Sequence, residues 1–436
     1  MNRPLHDRRW WLQAVAGSLL TPHLAPGSAA NELLDPSPMS KLNVAVVGVA
    51  NHAATNLAAM RGQRVQAICD VDGEYLERAH QQFPAATVER DWRQMLEQPD
   101  LDAVVISIPD HGHAACALQA ITLGLHVYCE KPLAHQVLET RQLAGKAAAS
   151  GLVTQFGNQH QSSPGYQRAI QWLRAELLGE VRLVTCWTNR PIWPQGISRP
   201  RGRARIPRTL EWDLWLGPAP ERRYHPIYHP LNWRGWWDFG CGALGDMGPH
   251  LLDPVFAGLQ LSSPSLIEAE SDPPNDWTFP ASSHVRWLFL RPQSNRPGLE
   301  VHWYDGQRTP SLTAADGTPL RLPASGVLVE GQRGKMFIPA LGGQPRLLGP
   351  VARDAETPRP EPLPSHQQQW LAACQQGTAT RSPFSYGATL TETCLLGNIA
   401  IRSGRSIAWD AKNGQITNHA DLNQLLSRQP RQGWSS

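Results

Sequence analysis

Asp246 and His250 stand four residues apart in the stretch Trp236 to Asp253, W-W-D-F-G-C-G-A-L-G-D-M-G-P-H-L-L-D. Glycines at 240, 242, 245 and 248 loosen the backbone, and an apolar helical pattern follows, so the spacing predicts a helix that starts near this pair. Residues i and i+4 share one helix face, which would aim a carboxylate and an imidazole into one space. Imidazole is the side chain best suited to moving a proton near neutral pH, and a carboxylate beside it fixes its tautomer. Alone, the pair is better read as a capping aspartate followed by a surface histidine. A third group lies upstream, Lys131 in Glu130-Lys131-Pro132, where the proline keeps the lysine extended and stops a helix from starting. A lysine aimed into a partly desolvated cleft lowers the pKa of a bound hydroxyl. The chemistry these residue types could do together is removal of a hydroxyl proton with stabilisation of the alkoxide.

The elements before them alternate strand and helix. Apolar runs at 42–48, 64–69, 103–109 and 126–129 predict four strands. Helical patterns at 55–61, 74–83, 92–98, 113–123 and 137–150 fill the gaps. Buried strands alternating with helices mean a parallel sheet covered on both faces, with ligands outside the carboxyl ends of its strands. The first turn, Gly48-Val49-Ala50-Asn51-His52-Ala53, stands where a dinucleotide fold has G-x-G-x-x-G or G-x-G-x-x-A. Gly48 keeps the tight turn. Ala50 departs from the pattern where the backbone approaches a pyrophosphate, and Ala53 is an accepted variant. Asp70 follows Gly48 by 22 residues, at the end of the second strand, where an acid bonds the ribose hydroxyls and repels a 2′-phosphate. NAD is therefore expected over NADP. Ser107-Ile108-Pro109-Asp110-His111 and Glu130-Lys131-Pro132 end the third and fourth apolar runs and should border the nicotinamide. The expected cofactor contacts are Gly48, Ala50, Asn51, His52, Asp70, Ser107, Pro109, Asp110, His113, Glu130 and Lys131.

Composition narrows the field. The 436 residues leave room for two domains, with an ordinary soluble mix of 41% hydrophobic and 18% charged residues. A net charge of +3 argues against a nucleic-acid partner, and the densest basic stretch, Arg199 to Arg208, is broken by prolines and reads as a loop. The seven cysteines show no paired spacing, so no metal site is expected. Residues 1–30 carry Arg8-Arg9-Trp10-Trp11-Leu12, a modest apolar run and Ser28-Ala29-Ala30, the pattern of a twin-arginine export signal. A short linker, 31–40, would follow. No segment is long enough for a membrane span. Seven tryptophans crowd between Trp187 and Trp237; most suit packing, while Trp236 and Trp237 are candidates for stacking on a sugar ring, and Trp233-Arg234 suits polyol recognition.

The set G-V-A-N-H-A, C-D-V-D, S-I-P-D-H, C-E-K-P-L, G-N-Q-H-Q and G-A-L-G-D-M-G-P-H resembles the Gfo/Idh/MocA oxidoreductase family over residues 41 to 436. N-R-P-I-W-P-Q-G-I, D-L-W-L-G-P-A-P and N-W-R-G-W-W-D-F-G look like a secreted bacterial subgroup. The resemblance implies an α/β protein: a Rossmann doubly wound parallel sheet over 41–159, then, over 160–436, an α/β substrate domain with a large open, mostly antiparallel sheet. Runs at 181–187, 284–290, 299–304 and 326–338 supply strands for the latter, and 366–404 reads as two helices packing back on the first domain. It further implies a catalytic set that maps onto Lys131, Asp246 and His250, with His250 as proton acceptor and Asp246 holding His250 or a nearby hydroxyl.

The expected activity is NAD(P)-dependent hydride transfer to or from a hydroxyl-bearing carbon of a sugar, polyol or related small molecule, in a periplasmic or otherwise exported homo-oligomer. Two alternatives stay open: a glycoside-cleaving enzyme that recycles tightly bound NAD internally, and a non-catalytic carbohydrate-binding relative.

Overall fold

The computed structural model describes residues 41–290, 298–312, 321–349, 351 and 360–434. The expected export signal and linker, 1–40, lie outside the described residues. From Lys41 onward the chain is one compact unit.

Its first part alternates β1 (Asn43–Val47), α1 (Ala53–Ala59), β2 (Arg64–Cys69), α2 (Gly73–Gln82), β3 (Thr87–Glu89), α3 (Trp92–Leu96), β4 (Ala103–Ile106), α4 (Asp110–Thr122), β5 (His126–Glu130), α5 (Val137–Ser150) and β6 (Thr154–Gly157). The six strands form a parallel sheet in the order β3-β2-β1-β4-β5-β6. Val44 and Val46 point to one face with Met60 and Ile68, and Ala45 and Val47 to the other with Cys116 and Ala117. Burial on both faces is why these strands read as unbroken apolar runs. The order reverses between β1 and β4, which opens a crevice at their carboxyl ends.

The second part contributes α6 (Pro164–Arg174), β7 (Val181–Thr188), α7 (Trp212–Leu216), α8 (Gly242–Leu251), α9 (Asp253–Leu259), β8 (Leu266–Ser271), β9 (Ser283–Phe289), β10 (Leu299–Tyr304), β11 (Ser325–Gly331), β12 (Gly334–Pro339), β13 (Arg346–Leu348), α10 (His366–Gln376), α11 (Phe384–Ser403), β14 (Ile407–Asp410) and β15 (Gln415–Ile416). A nine-stranded sheet runs β13-β12-β11-β7-β10-β9-β8-β14-β15, antiparallel apart from the β10–β7 pair. In β9, Val285, Trp287 and Phe289 are buried while Arg286 faces outward between Glu300 at 2.8 Å and Glu268 at 2.5 Å. That alternation is what a sheet covered on one face requires.

Three expectations are corrected. The run 326–338 is a hairpin, not one strand: Gly331 pairs with Gly334 across two polar residues, and β11 and β12 fold onto each other. Helix α4 starts at Asp110 rather than His113, so Asp110 lies in its first turn. Helix α8 starts at Gly242, so Asp246 and His250 lie within it rather than at its start. Its glycines serve packing. A Cβ on Gly248 would stand 2.7 Å from Cys394 Sγ on α11, and one on Gly242 would stand 2.6 Å from Phe279. All seven cysteines are buried and free.

Candidate active site

A cavity of about 360 Å³ lies at the carboxyl ends of β1, β2, β4 and β5 and is closed on its far side by residues 214–234 and α8. That volume is in the range of small-molecule sites. Gly48 begins its floor with φ of +84°, and a Cβ there would strike the Ser107 carbonyl at 2.3 Å, so only glycine fits. Asn51 is left-handed at φ 56°. This turn delays α1 until Ala53, and the amides of Ala50, Asn51 and His52 donate to no partner among the described residues. Three consecutive unspent N–H groups on a cavity wall suit an anion. Asp70, at the end of β2, lines the same wall. Its carboxylate accepts from Val49 and Asp72 amides, each at 3.1 Å, and burial still pushes it up to about 6. Amide cradle and carboxylate together fit the pyrophosphate and ribose of a dinucleotide.

At the other end Lys131 leaves β5 and donates from Nζ to Asp246 Oδ1 at 2.9 Å and to the Asp246 carbonyl at 3.0 Å. Arg234 Nε reaches the same Oδ1 at 3.3 Å. Burial opposes the charge on Asp246, but Lys131 and then Arg234 outweigh it and hold the carboxyl well below the usual range. His250 lines the cavity one helical turn on. Its Nδ1 is buried without a partner among the described residues, which leaves Nε2 as the nitrogen able to meet a ligand. Burial, then Lys131 and His160, lower its pKa well below 6.5, so the ring is a neutral base. Asp246 makes no hydrogen bond to His250. The shared helix face was foreseen correctly as geometry, but the carboxylate is spent on Lys131 and Arg234 and does not fix the imidazole.

Glu130 lies between the two ends. Burial would raise its pKa; His52 at 3.4 Å, Asn56 at 2.8 Å and Lys131 bring it down to about 2. Gln159 also donates to it. His52 is raised in turn, chiefly by Glu130. Ser107 and Pro109 line the cavity beside them, and Ser107 Oγ accepts from Asn56 at 2.9 Å.

Two expected cofactor contacts have other duties. His113 does not line the cavity; its nitrogens meet the Pro132 and Ile108 carbonyls, each at 2.7 Å, pinning the loops after β4 and β5 to each other. Asp110 reaches the wall, but its Oδ2 accepts the Cys241 amide at 3.0 Å and holds the front of α8. Trp236 and Trp237 are buried away from the cavity, whereas Trp215 and Trp233 line it.

His160 went unseen as a site residue. Its ring stands 4.9 Å from that of His250, edge to face, and burial with Lys131 lowers it to about 4. Reading 154–157 as a sixth strand would have placed Gln159 and His160 at the ligand edge of the sheet. Asn56 and His229 offered no such signal, because only tertiary packing delivers them; Arg234 was legible only as the neighbour of Trp233, and its contact with Asp246 comes from the packing.

Residues 42–158 match the family model for the oxidoreductase family, NAD-binding Rossmann fold, and residues 181–287 match the oxidoreductase family, C-terminal alpha/beta domain. Together they cover just over half of the chain, which belongs to the Gfo/Idh/MocA family of NAD-binding oxidoreductases. Among its relatives, inositol 2-dehydrogenase 4 of Saccharopolyspora erythraea is 31% identical over 163 residues, 36% of this chain and 48% of that protein. Levoglucosan dehydrogenase of Pseudarthrobacter phenanthrenivorans is 26% identical over 186 residues, 43% of this chain and 40% of that protein. The chain thus spans about half the length, or less, of these curated relatives. A solved levoglucosan dehydrogenase in complex with NADH and L-sorbose shares the fold at a TM-score of 0.60 and 16% identity, covering 85% of this chain and 99% of that one.

Proposed function

We propose that this protein is an NAD-dependent oxidoreductase acting on a hydroxyl-bearing carbon of a sugar or polyol. The observation that carries this is the meeting, in one cavity, of the dinucleotide-type wall and the Lys131–Asp246 pair with His250. Bound NAD supplies the hydride acceptor for the substrate carbon. The rest belongs to this chain. His250 Nε2 takes the hydroxyl proton, Lys131 Nζ stabilises the developing alkoxide, and Asp246 anchors the lysine beside it. Gly48, the Ala50–His52 amides and Asp70 bind the dinucleotide, with Glu130 and Ser107 along its path. The inositol and levoglucosan dehydrogenases among the relatives support a hydroxylated ring as substrate.

Turnover of a sugar and polyol panel, followed as NADH formed, tests the proposal. His250→Ala is expected to lose roughly 10²–10⁴-fold in kcat with NAD still bound, since general-base assistance is of that size. Lys131→Ala should lose a comparable factor, and the double variant little more, because the groups act as a unit. Near-normal turnover in His250→Ala overturns the assignment. Native mass spectrometry of protein purified without added nucleotide then separates exchangeable NAD from retained NAD, and counts subunits in the homo-oligomer we propose.

Export through the twin-arginine machinery is a separate proposal, supported by Arg8-Arg9 and the small residues at 28–30. Replacing both arginines by lysine should leave the protein in the cytoplasmic fraction; unchanged export refutes it.

A further inference from the structure

Arg234 is a charged group in the cavity whose hydrogen-bonding capacity is largely unspent. It sits in the short turn Asn232–Gly235, with its guanidinium carbon 4.3 Å from the Trp233 ring centroid and 5.9 Å from that of Trp193. Nε donates to Asp246 Oδ1 at 3.3 Å and one terminal nitrogen donates to the Leu231 carbonyl at 3.2 Å. A guanidinium has five N–H groups. The other three, including both on the second terminal nitrogen, have no partner among the described residues, and the side chain lines the cavity.

The nearby carboxylates do not call for those donors. Asp246 already has Lys131 at 2.9 Å, Asp110 accepts the Cys241 amide, and Glu130 is held by His52, Asn56 and Gln159. An arginine present only to hold Asp246 would turn its planar fork to that carboxylate; here a single, longer contact is made. Stacked against indole and fixed at two points, the fork loses little entropy on engaging a planar anion.

A second feature points the same way. The loop from Asn189 to Leu210 sets out from the end of β7, lays Trp193 near Arg234, and returns where Leu210 bridges Asp72, two residues beyond Asp70. It therefore runs from the substrate end of the cavity to the ribose end. Arg199, Arg201, Arg203, Arg205 and Arg208 on it are all exposed, and the loop contains no acidic residue. None of these arginines lines the cavity itself, so they would act at a distance: a one-signed surface beside a cleft raises the local concentration and on-rate of an oppositely charged ligand.

We propose that the substrate is an acidic sugar, a uronic or aldonic acid, whose carboxylate is held by Arg234 and whose approach is steered by the arginine loop. This rests on the sugar-oxidising role proposed above and narrows its substrate class. The acid group is bound, not transformed; the oxidised hydroxyl stands on another carbon, within reach of His250.

The experiment is calorimetric titration of the NADH-saturated protein with matched pairs: D-glucuronate against D-glucose, D-galacturonate against D-galactose, and D-gluconate against D-glucitol. In at least one pair the acid should bind about tenfold tighter or more, equivalent to about 1.4 kcal/mol. Arg234→Gln should abolish that preference and Arg234→Lys should keep part of it. Reversing Arg201, Arg203 and Arg205 to glutamate should slow acid binding and leave the neutral sugars unaffected. Equal affinity within every pair, failure of every acid to bind, or a preference that survives Arg234→Gln overturns the proposal. If Arg234→Gln does not fold, the wild-type pairs and the loop variant still decide. Formation of NADH is read separately with NAD: acid preference without any hydride transfer refutes the proposed oxidation and leaves this assignment standing. Turnover of neutral sugars with no acid preference does the reverse.

Discussion

At the scale of single residues the site is governed by burial working against charge. Asp70 accepts two backbone N–H groups, yet burial wins and pushes its carboxyl up to about 6. Ribose hydroxyls are best accepted by the ionised form, so NAD binding favours loss of that proton. The sign follows from linkage: affinity should be full above pH 6 and fall as pH drops through it, by up to about tenfold per pH unit. Asp70→Asn should bind NAD more weakly and be flatter over that window. Fluorescence titration from roughly pH 5 to pH 7.5 checks this, and a wild-type affinity that does not move rules it out. His250 is shifted the other way, lowered by burial and then Lys131. Its neutral form should persist below 6.5, so kcat should hold steady between about pH 7.5 and 6.5, where an exposed histidine would titrate. A drop in kcat centred at 6.5 that persists in His160→Asn would count against this neutral base.

At the scale of elements, α8 is placed by what it lacks. Gly248 lets the helix come close to α11, where an added methyl would stand 2.7 Å from Cys394 Sγ and 3.1 Å from a Leu244 methyl. Gly248→Ala should therefore destabilise by about 1–3 kcal/mol through overpacking. Because α8 also carries Asp246 and His250, the same change should disturb the 2.9 Å contact to Lys131 and reduce kcat. Cys394→Ala opens the space and should restore part of the loss. Urea unfolding of both single variants and the double forms a cycle, and strict additivity would show that the two residues do not crowd each other.

At the scale of the whole molecule, the late helix α10 packs back on the first sheet. Trp370 is fully buried in the core on one face of the first sheet, with Val44, Val46 and Tyr128. Gln367 donates to Asn56 at 2.8 Å, and Asn56 donates to Glu130 at 2.8 Å, so a residue 311 positions after Asn56 braces the cavity wall. Trp370→Ala should cost about 3–5 kcal/mol and weaken NAD binding with it. The segment 41–159 expressed by itself lacks that cover and should aggregate or bind NAD poorly. A soluble, NAD-binding fragment would show that the first sheet needs no help. NAD at 100 times its Kd should raise the stability of the full chain by about 2.7 kcal/mol, seen as one shifted thermal transition.

What the sequence determined by itself was local. Unbroken apolar runs reported strands buried on both faces, Gly48 and Asp70 marked the first turn and second strand end, and the order of elements implied the parallel sheet. Lys131, Asp246 and His250 were legible because their motifs are short and their neighbours distinctive. What only the tertiary structure decided was who pairs with whom. Asp246 turns to Lys131 and Arg234 because opposite charges in a buried wall outweigh a same-helix neighbour that is neutral there. His113 becomes a clamp because two loop carbonyls close on it, and Trp236 and Trp237 fill core while Trp233 reaches the cavity. The glycines of α8 signalled a loose turn, and the packed structure uses them for close approach to α11, since a missing side chain means flexibility until another element occupies its place.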